Sequence, residues 1–405
     1  MTSHLKNLTQ RIVMKPAANS GVIVSMACMT VFLAQLGMMI YLPGVPAIAY
    51  SFHASSSVIS LSLPIYLVGM AAPMLIWGHW GGRWGTKKVL MVSLLLFSLC
   101  SALLAQSNTI GTFLFLRFFQ GFAASGMSVM ARSLIAQRFK GAQLAKALSW
   151  LSIAFVISLG VGQYIGAVLI NAAGWTATFW LLALGALFHT GLFFWFIPDS
   201  QQPERSSTGW KLYLTIVRHG PFLTPALMGG LGYGLLIAFN TAAPAIFQTV
   251  YQWSVTDYGN FGWAMSVAYM SGSLSVNRWV MSLGQSRFNT LGIRIMMAGS
   301  TAMTCAVIVA PTYALMMWLP YCFIVFGQAI NYPVSLSQAS ENTPIEGPYT
   351  MAMCGFIHQL LAAFIGMTVS LIDAREPLHL AFIFLLLACV IGKLNSVNQR
   401  FFKAS

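Results

Sequence analysis

Few side chains in this sequence could do chemistry in an apolar medium, and those few stand at helical spacing. Arg117 and Gln120 are three residues apart, with Gly121, Ala124 and Ser128 following, so one helix face would be polar and then small. Gln328, Asn331, Tyr332 and Ser335 fall at i, i+3, i+4 and i+7 in a second apolar stretch. His358 and Gln359 lie side by side in a third, and His189 stands in a fourth. Arg117 offers a fixed charge and a planar fork of donors, which suits an anion. The same fork would equally brace helices by bonding carbonyls or amides. The 328–335 stripe suits a water-filled cavity, with amide bonding between helices as the alternative. Histidine changes charge near neutral pH. His358 is therefore the first candidate for carrying a proton and His189 the second, against a neutral packing role for each.

The complementary chemistry is scarce. The first 198 residues contain no Asp or Glu, and the seven acids are Asp199, Glu204, Asp257, Glu341, Glu346, Asp373 and Glu376. All fall in expected gaps or at helix ends. An acid inside a membrane costs about 2.5–3.5 kcal/mol on insertion scales and persists only for function. The six cysteines lie in apolar stretches without CxxC spacing, which indicates packing residues, with no metal site. The 23 Met residues could suit copper, but an adaptable apolar lining for varied solutes is the reading preferred over a metal path. No phosphate-binding glycine loop, zinc motif or nucleophile elbow is present, so the sequence points to neither an enzyme nor a cofactor.

The elements that must carry these residues are membrane spans. A spanning helix needs about 20 mostly apolar residues, and twelve such runs are expected, at 21–43, 57–77, 89–106, 111–135, 147–171, 175–197, 222–248, 259–281, 289–310, 312–336, 350–372 and 378–396. With both termini in the cytoplasm, 19 of the 21 Lys and Arg, Arg132 among them, fall on the cytoplasmic side. Arg117 alone is assigned to a span interior. With 58% hydrophobic and 7% charged residues, the chain lacks the polar surface of a water-soluble globule. Its net charge of +14 is scattered in short clusters beside the bilayer, which excludes a nucleic-acid surface. Lys6, Arg11 and Lys15 precede an apolar run too long for a secretion signal, so that run reads as the first span.

A polar gap at 198–220 divides the chain into halves of six spans, 1–197 and 221–405. Val45-Pro46-Ala47-Ile48 and Ala243-Pro244-Ala245-Ile246 occupy matching places in the two halves. Repeated halves suit a transporter with a midplane site between them.

Several motifs carry a family resemblance. Gly78-His79-Trp80-Gly81-Gly82-Arg83-Trp84-Gly85-Thr86-Lys87-Lys88, read as a loop after the second span, resembles G-x-L-x-D-R-x-G-R-K. Arg117-Phe118-Phe119-Gln120-Gly121 is similar to R-x-x-Q-G, and Tyr41-Leu42-Pro43-Gly44-Val45-Pro46 to Y-L-P-x-x-P. The chain thus resembles the major facilitator superfamily, and within it the twelve-helix drug:proton antiporter branch of bicyclomycin and chloramphenicol exporters. It departs from that branch where charge matters. Gly82 replaces an Asp, Met39 stands where exporters have an acid, Gln137 replaces a further acid, and the span-five motif G-P-x-x-G-G survives only as Gly162, Gln163 and Gly166.

The resemblance implies an all-α fold of two pseudo-symmetric six-helix halves in the cytoplasmic membrane, acting as a monomer. It also implies that Gln35, Met39, Tyr41, Arg117, Gln120, Asn240, Gln328, Asn331, His358 and Gln359 surround a substrate cavity. Gly78, Gly82, Arg83, Gly85, Lys87 and Lys88 would brace one conformation, with Gly82→Asp tolerated or activating. The expected function is secondary transport of a small organic solute, drug-exporter-like, with proton coupling open. The expected solute is anionic or neutral, because Arg117 offers anions a counter-charge. A carrier for a carboxylate or siderophore, and a membrane sensor that no longer transports, are the alternatives.

Overall fold

The computed structural model describes residues 20–54, 58–59, 61–71, 73–197, 209–253, 255–343, 345, 347–371 and 376–404. Lys6, Arg11, Lys15, Asp199, Glu204, Glu346 and Asp373 lie outside them, as do residues 198–208 of the linker. Among the described residues the regular structure is helical, with no strand. This follows from the solvent: backbone polar groups facing lipid must be satisfied within their own segment.

In the first half, α1 is Ser20–Met39, α2 Val45–Ser51, α3 Ser62–Ala71, α4 Met74–Trp84, α5 Thr86–Ala105, α6 Ile110–Ala136, α7 Gly141–Ala173 and α8 Thr176–Phe196. A short helix, α9 (Gly209–Val217), follows. The second half comprises α10 (Gly220–Thr249), α11 (Val255–Leu283), α12 (Gln285–Val309), α13 (Ala314–Glu341), α14 (Pro348–Leu371) and α15 (Pro377–Ala404).

Among the described residues ten helices are long and apolar enough to cross a bilayer, and α3 with α4, bent by 43°, makes an eleventh if the pair is one span. α11 has 29 residues, about 44 Å at 1.5 Å per residue. It is long enough to cross but richer in Ser and Asn, so the architecture is compatible with twelve spans.

The motif expected as a loop after the second span is mostly helix. Gly78 to Trp84 belong to α4, and α5 begins at Thr86. Gly85 alone turns the chain, with φ +89, a conformation that a side chain disfavours. Its N–H closes onto Gly81 O at 3.0 Å.

Each half is tied internally. In the first, the Arg117 guanidinium donates from Nη1 to Gly37 O at 2.9 Å and to Gln120 Oε1 at 2.5 Å, while Gln120 Nε2 donates to Ser101 Oγ at 2.8 Å. In the second, Asn331 Nδ2 donates to Met228 O and to Gln328 Oε1, each at 3.1 Å. Ser335 Oγ donates to Asn331 Oδ1 at 2.9 Å and accepts from Asn289 Nδ2 at 3.1 Å. Each set links the half's fourth span to a carbonyl of its first span and to a polar side chain of its third. The two halves therefore carry corresponding braces made of different residues.

The halves meet at the ends that the Lys and Arg distribution assigns to the cytoplasm. Ser337 Oγ of α13 donates to Gly141 O of α7 at 3.1 Å, and Asn277 Nδ2 of α11 to Ser149 Oγ of α7 at 2.7 Å. Gly78, Gly81 and Gly82 form the bare face on which α4 receives Pro348, Tyr349 and Ala352 of α14. Beneath them, α9 touches both halves. Tyr213 OH donates to Leu75 O at 2.5 Å, and its ring stands 5.3 Å from that of Tyr349. Burial drives the Tyr213 phenol pKa well above its ordinary value, so it stays a neutral donor.

Candidate functional site

A cavity of about 870 Å³ lies between the halves. It runs from Met39 and Leu63 to Arg132, Leu148 and Leu336, near the ends at which the halves meet. Most of its wall is apolar, with Leu67, Phe155, Val156 and Ile237 among the lining residues. Met38, Met39, Met70, Met74 and Met265 contribute thioethers, suited to solutes of varied shape. The polar lining is sparse: Gln35, Arg132, Ser152, Tyr233, Asn240, Ser266, Tyr269, Tyr321, Tyr332, His358 and Gln359.

The structure thus brings Gln35, Met39, Asn240, His358 and Gln359 to the cavity, and leaves Tyr41, Arg117, Gln120, Gln328 and Asn331 behind its wall. Arg117 is the main correction. It is fully buried in the first half, and its guanidinium carbon lies 4.3 and 4.6 Å from the ring centroids of Tyr41 and Tyr66. Tyr41 OH is shared with Ser62 Oγ at 2.7 Å, and Tyr66 OH donates to Ala34 O at 2.6 Å. Two aromatic faces, a carbonyl and an amide compensate the charge at Nη1 and over the guanidinium plane, while Nε and Nη2 have no hydrogen-bond partner. Asn331 bonds across to Met228 O, Gln328 only accepts from Asn331 within α13 and leaves its Nε2 without a partner, and of that stripe only Tyr332 lines the cavity.

The cavity's arginine is Arg132, which the sequence reading assigned to the cytoplasmic side. It lies within α6, half-buried, fifteen residues beyond Arg117, and lines the cavity. Its signal was available: residue 132 falls inside the 111–135 run, before the chain breaks. His358 is 2% exposed, and neither ring nitrogen has a hydrogen bond of normal geometry. Its ring centroid is 5.2 Å from that of Tyr332. His189 has no such freedom, since it shares a 2.9 Å hydrogen bond with Thr30 Oγ1 away from the cavity.

The conserving and departing motif positions also find roles. A Cβ on Gly166 would overlap Ile40 O, and one on Gly162 would stand 2.9 Å from Leu36, so these glycines let α7 approach α1. The side chain of Gln163 is outside the described residues. Gln137 Nε2 donates to Thr86 Oγ1 at 2.8 Å. Lys87 is buried, its ammonium 5.8 Å from the Phe194 ring, whereas Arg83 and Lys88 are exposed. The space beside Gly82 is filled by the Tyr349 ring, which a Cβ there would overlap. Room for a carboxylate is therefore lacking, contrary to the expectation that Gly82→Asp is tolerated.

Two bundled halves closed at one end over a mixed apolar and polar cavity define a membrane transporter fold. The sequence profile of the Major Facilitator Superfamily matches residues 27–367, and the chain belongs to that family. Its members are transporters rather than enzymes, and the chain is a multi-pass protein of the membrane, the inner one in bacteria. It is 26% identical to the bicyclomycin resistance protein homolog of Haemophilus influenzae over 268 residues, 65% of this chain and 67% of the relative. It is also 26% identical to the multidrug resistance protein MdtL of Salmonella paratyphi C over 292 residues, 68% and 72% of the two chains. These relatives agree with the resemblance to the drug:proton antiporter branch. Among solved structures, the proton:xylose symporter XylE superposes with a TM-score of 0.74 at 15% identity, covering 94% of this chain and 95% of that one.

Proposed function

We propose that this chain is a secondary transporter that moves a small amphipathic organic solute, neutral or anionic, across the cytoplasmic membrane by alternating access. The observation that carries this reading is the cavity between the halves, about 870 Å³ and closed toward the cytoplasm by α4, α7, α13 and α14. Drug-sized ligands occupy pockets of about 300–1,000 Å³, mostly apolar with a few placed polar groups. The braces make each half a rigid unit, and the glycine face of α4 is a surface that can part from α14. One chain supplies the whole cavity, so a monomer suffices. Without a nucleotide-binding motif, the energy comes from an ion gradient or from the substrate's own gradient.

The coupling chemistry differs from exporters that alternate proton and cation on an embedded acid. With no Asp or Glu in the first 198 residues, that half offers no such acid. His358 is the cavity group suited to carrying a proton; it lines the cavity with Arg132, its ring against that of Tyr332. Flux of labelled amphipaths in proteoliposomes, with and without an imposed pH gradient, tests the reading. Saturable flux is expected, with gradient-driven accumulation lost in His358→Gln if the histidine is the coupling group. Absence of saturable flux for every neutral and anionic solute would favour the sensor alternative.

A further inference from the structure

We propose that Arg132 and His358 form an anion subsite at the cytoplasmic end of the cavity. It would take the carboxylate of an amphipathic organic acid whose apolar body fills the space above. The inference rests on the carrier reading and names the solute class.

The first support is a charge without a partner. Arg132 lines the cavity and makes no hydrogen bond or ion pair among the described residues. Glu341, the acid at the foot of α13, is engaged by Ser337 Oγ at 3.0 Å and Gln285 Nε2 at 3.3 Å. An arginine within a membrane bundle, unlike Arg117 with its rings and carbonyl, is costly when uncompensated. Arg132 Nη1 lies 3.6 Å from where a Cβ on Gly355 would stand, which sets the guanidinium against α14.

The second support is independent and lies on the same wall. His358, three residues beyond Gly355 on α14, is nearly fully buried, lines the cavity and leaves both ring nitrogens without a well-formed hydrogen bond. Buried polar atoms are rarely left so unless a ligand or solvent supplies the partner. A neutral imidazole keeps one N–H to donate. A carboxylate at the Arg132 fork would therefore receive two parallel bonds from the guanidinium and a third from His358. Leu63, Leu67, Phe155, Val156 and Ile237 line the cavity above and would take the apolar body.

The test uses the full chain in lipid nanodiscs and calorimetric titration with three probes of one shape: 2-naphthoate, 2-naphthalenemethanol and a naphthylmethyl trimethylammonium. The native protein should bind naphthoate about tenfold or more tighter than the alcohol, with the ammonium weakest. Arg132→Gln should erase the naphthoate advantage over the alcohol, and Arg132→Lys should keep part of it. His358→Leu should weaken naphthoate about three- to tenfold, and His358→Gln, which retains an N–H, should restore it. Melting curves of the variants identify any that fail to fold, and the Lys and Gln variants keep the comparison open. Equal binding of naphthoate and alcohol to the native protein, or a preference that survives Arg132→Gln, would overturn the subsite and leave the carrier reading intact. Saturable flux absent while naphthoate binding still follows Arg132 would instead remove the carrier reading alone.

Discussion

At the residue scale the molecule turns on two arginines of one helix. Arg117 is spent on holding α1, α3 and α6 together, and Arg132 is left facing the cavity. Arg117→Ala should therefore fail through stability before it fails through binding. It removes two charged hydrogen bonds and two aromatic contacts, a loss of about 2–5 kcal/mol. Melting followed by fluorescence-detected size exclusion should show a large downward shift. The surviving folded fraction should keep its solute affinity, and unchanged melting with lost binding would return Arg117 to the cavity. The polar residue types were legible in the sequence, but their direction was not. In a soluble helix the apolar stripe tells inside from outside. Here lipid, core and cavity wall are all largely apolar, so periodicity separates none of them. Gln35 and Asn240 reached the cavity, as the resemblance implied. Gln328 and Asn331 stand on a polar stripe of equal quality, yet both are buried behind the wall, Asn331 tied to Met228 O and Gln328 to Asn331.

At the scale of elements, legibility was better because the bilayer dictates length. The spans from 89 onward fall within helices, with boundaries that move by a few residues to a turn or two. The second span was read too short. Pro73 stands at the bend between α3 and α4, and the chain then continues as helix through Gly78–Trp84. Three glycines in that stretch looked like a loop. They are instead the face on which α14 rests, where bare backbone is worth more than helix propensity. Tyr349 occupies the place beside Gly82, and with Tyr213 and His79 it makes an aromatic and hydrogen-bonded contact where the family motif has a carboxylate. Gly82→Asp must displace that ring, at about 1–3 kcal/mol of overpacking, which shifts a two-state equilibrium by about 5- to 150-fold. Spin labels at Lys88 and Leu283 should report a longer mean distance in Gly82→Asp than in the native chain. Tyr349→Ala combined with Gly82→Asp should recover part of the closed population. An unchanged distance in the single variant would mean that Tyr349 yields freely and holds nothing shut.

At the scale of the whole molecule, two internally braced halves meet through contacts that are few and separable. α7 carries two of the bonds between them, Asn277 to Ser149 and Ser337 to Gly141. The distribution of 21 basic residues puts those contacts on the cytoplasmic side, which predicts that a reporter after Ser207 reads cytoplasmic and one near Asn108 or Asp257 reads external. If transport requires the halves to part at this end, a covalent tie there must stop it without touching the cavity. Ser149→Cys with Asn277→Cys, in a background from which the six native cysteines are removed, places two thiols where a 2.7 Å hydrogen bond now spans the halves. A short thiol crosslinker should abolish flux in proteoliposomes. Reduction of a cleavable version should restore it, and either single variant should be insensitive. Binding of solute from the external side should survive the tie, since the cavity above it is unaltered. Flux that continues through the crosslinked chain would mean that these ends do not separate during transport, and the alternating-access reading would fail with them.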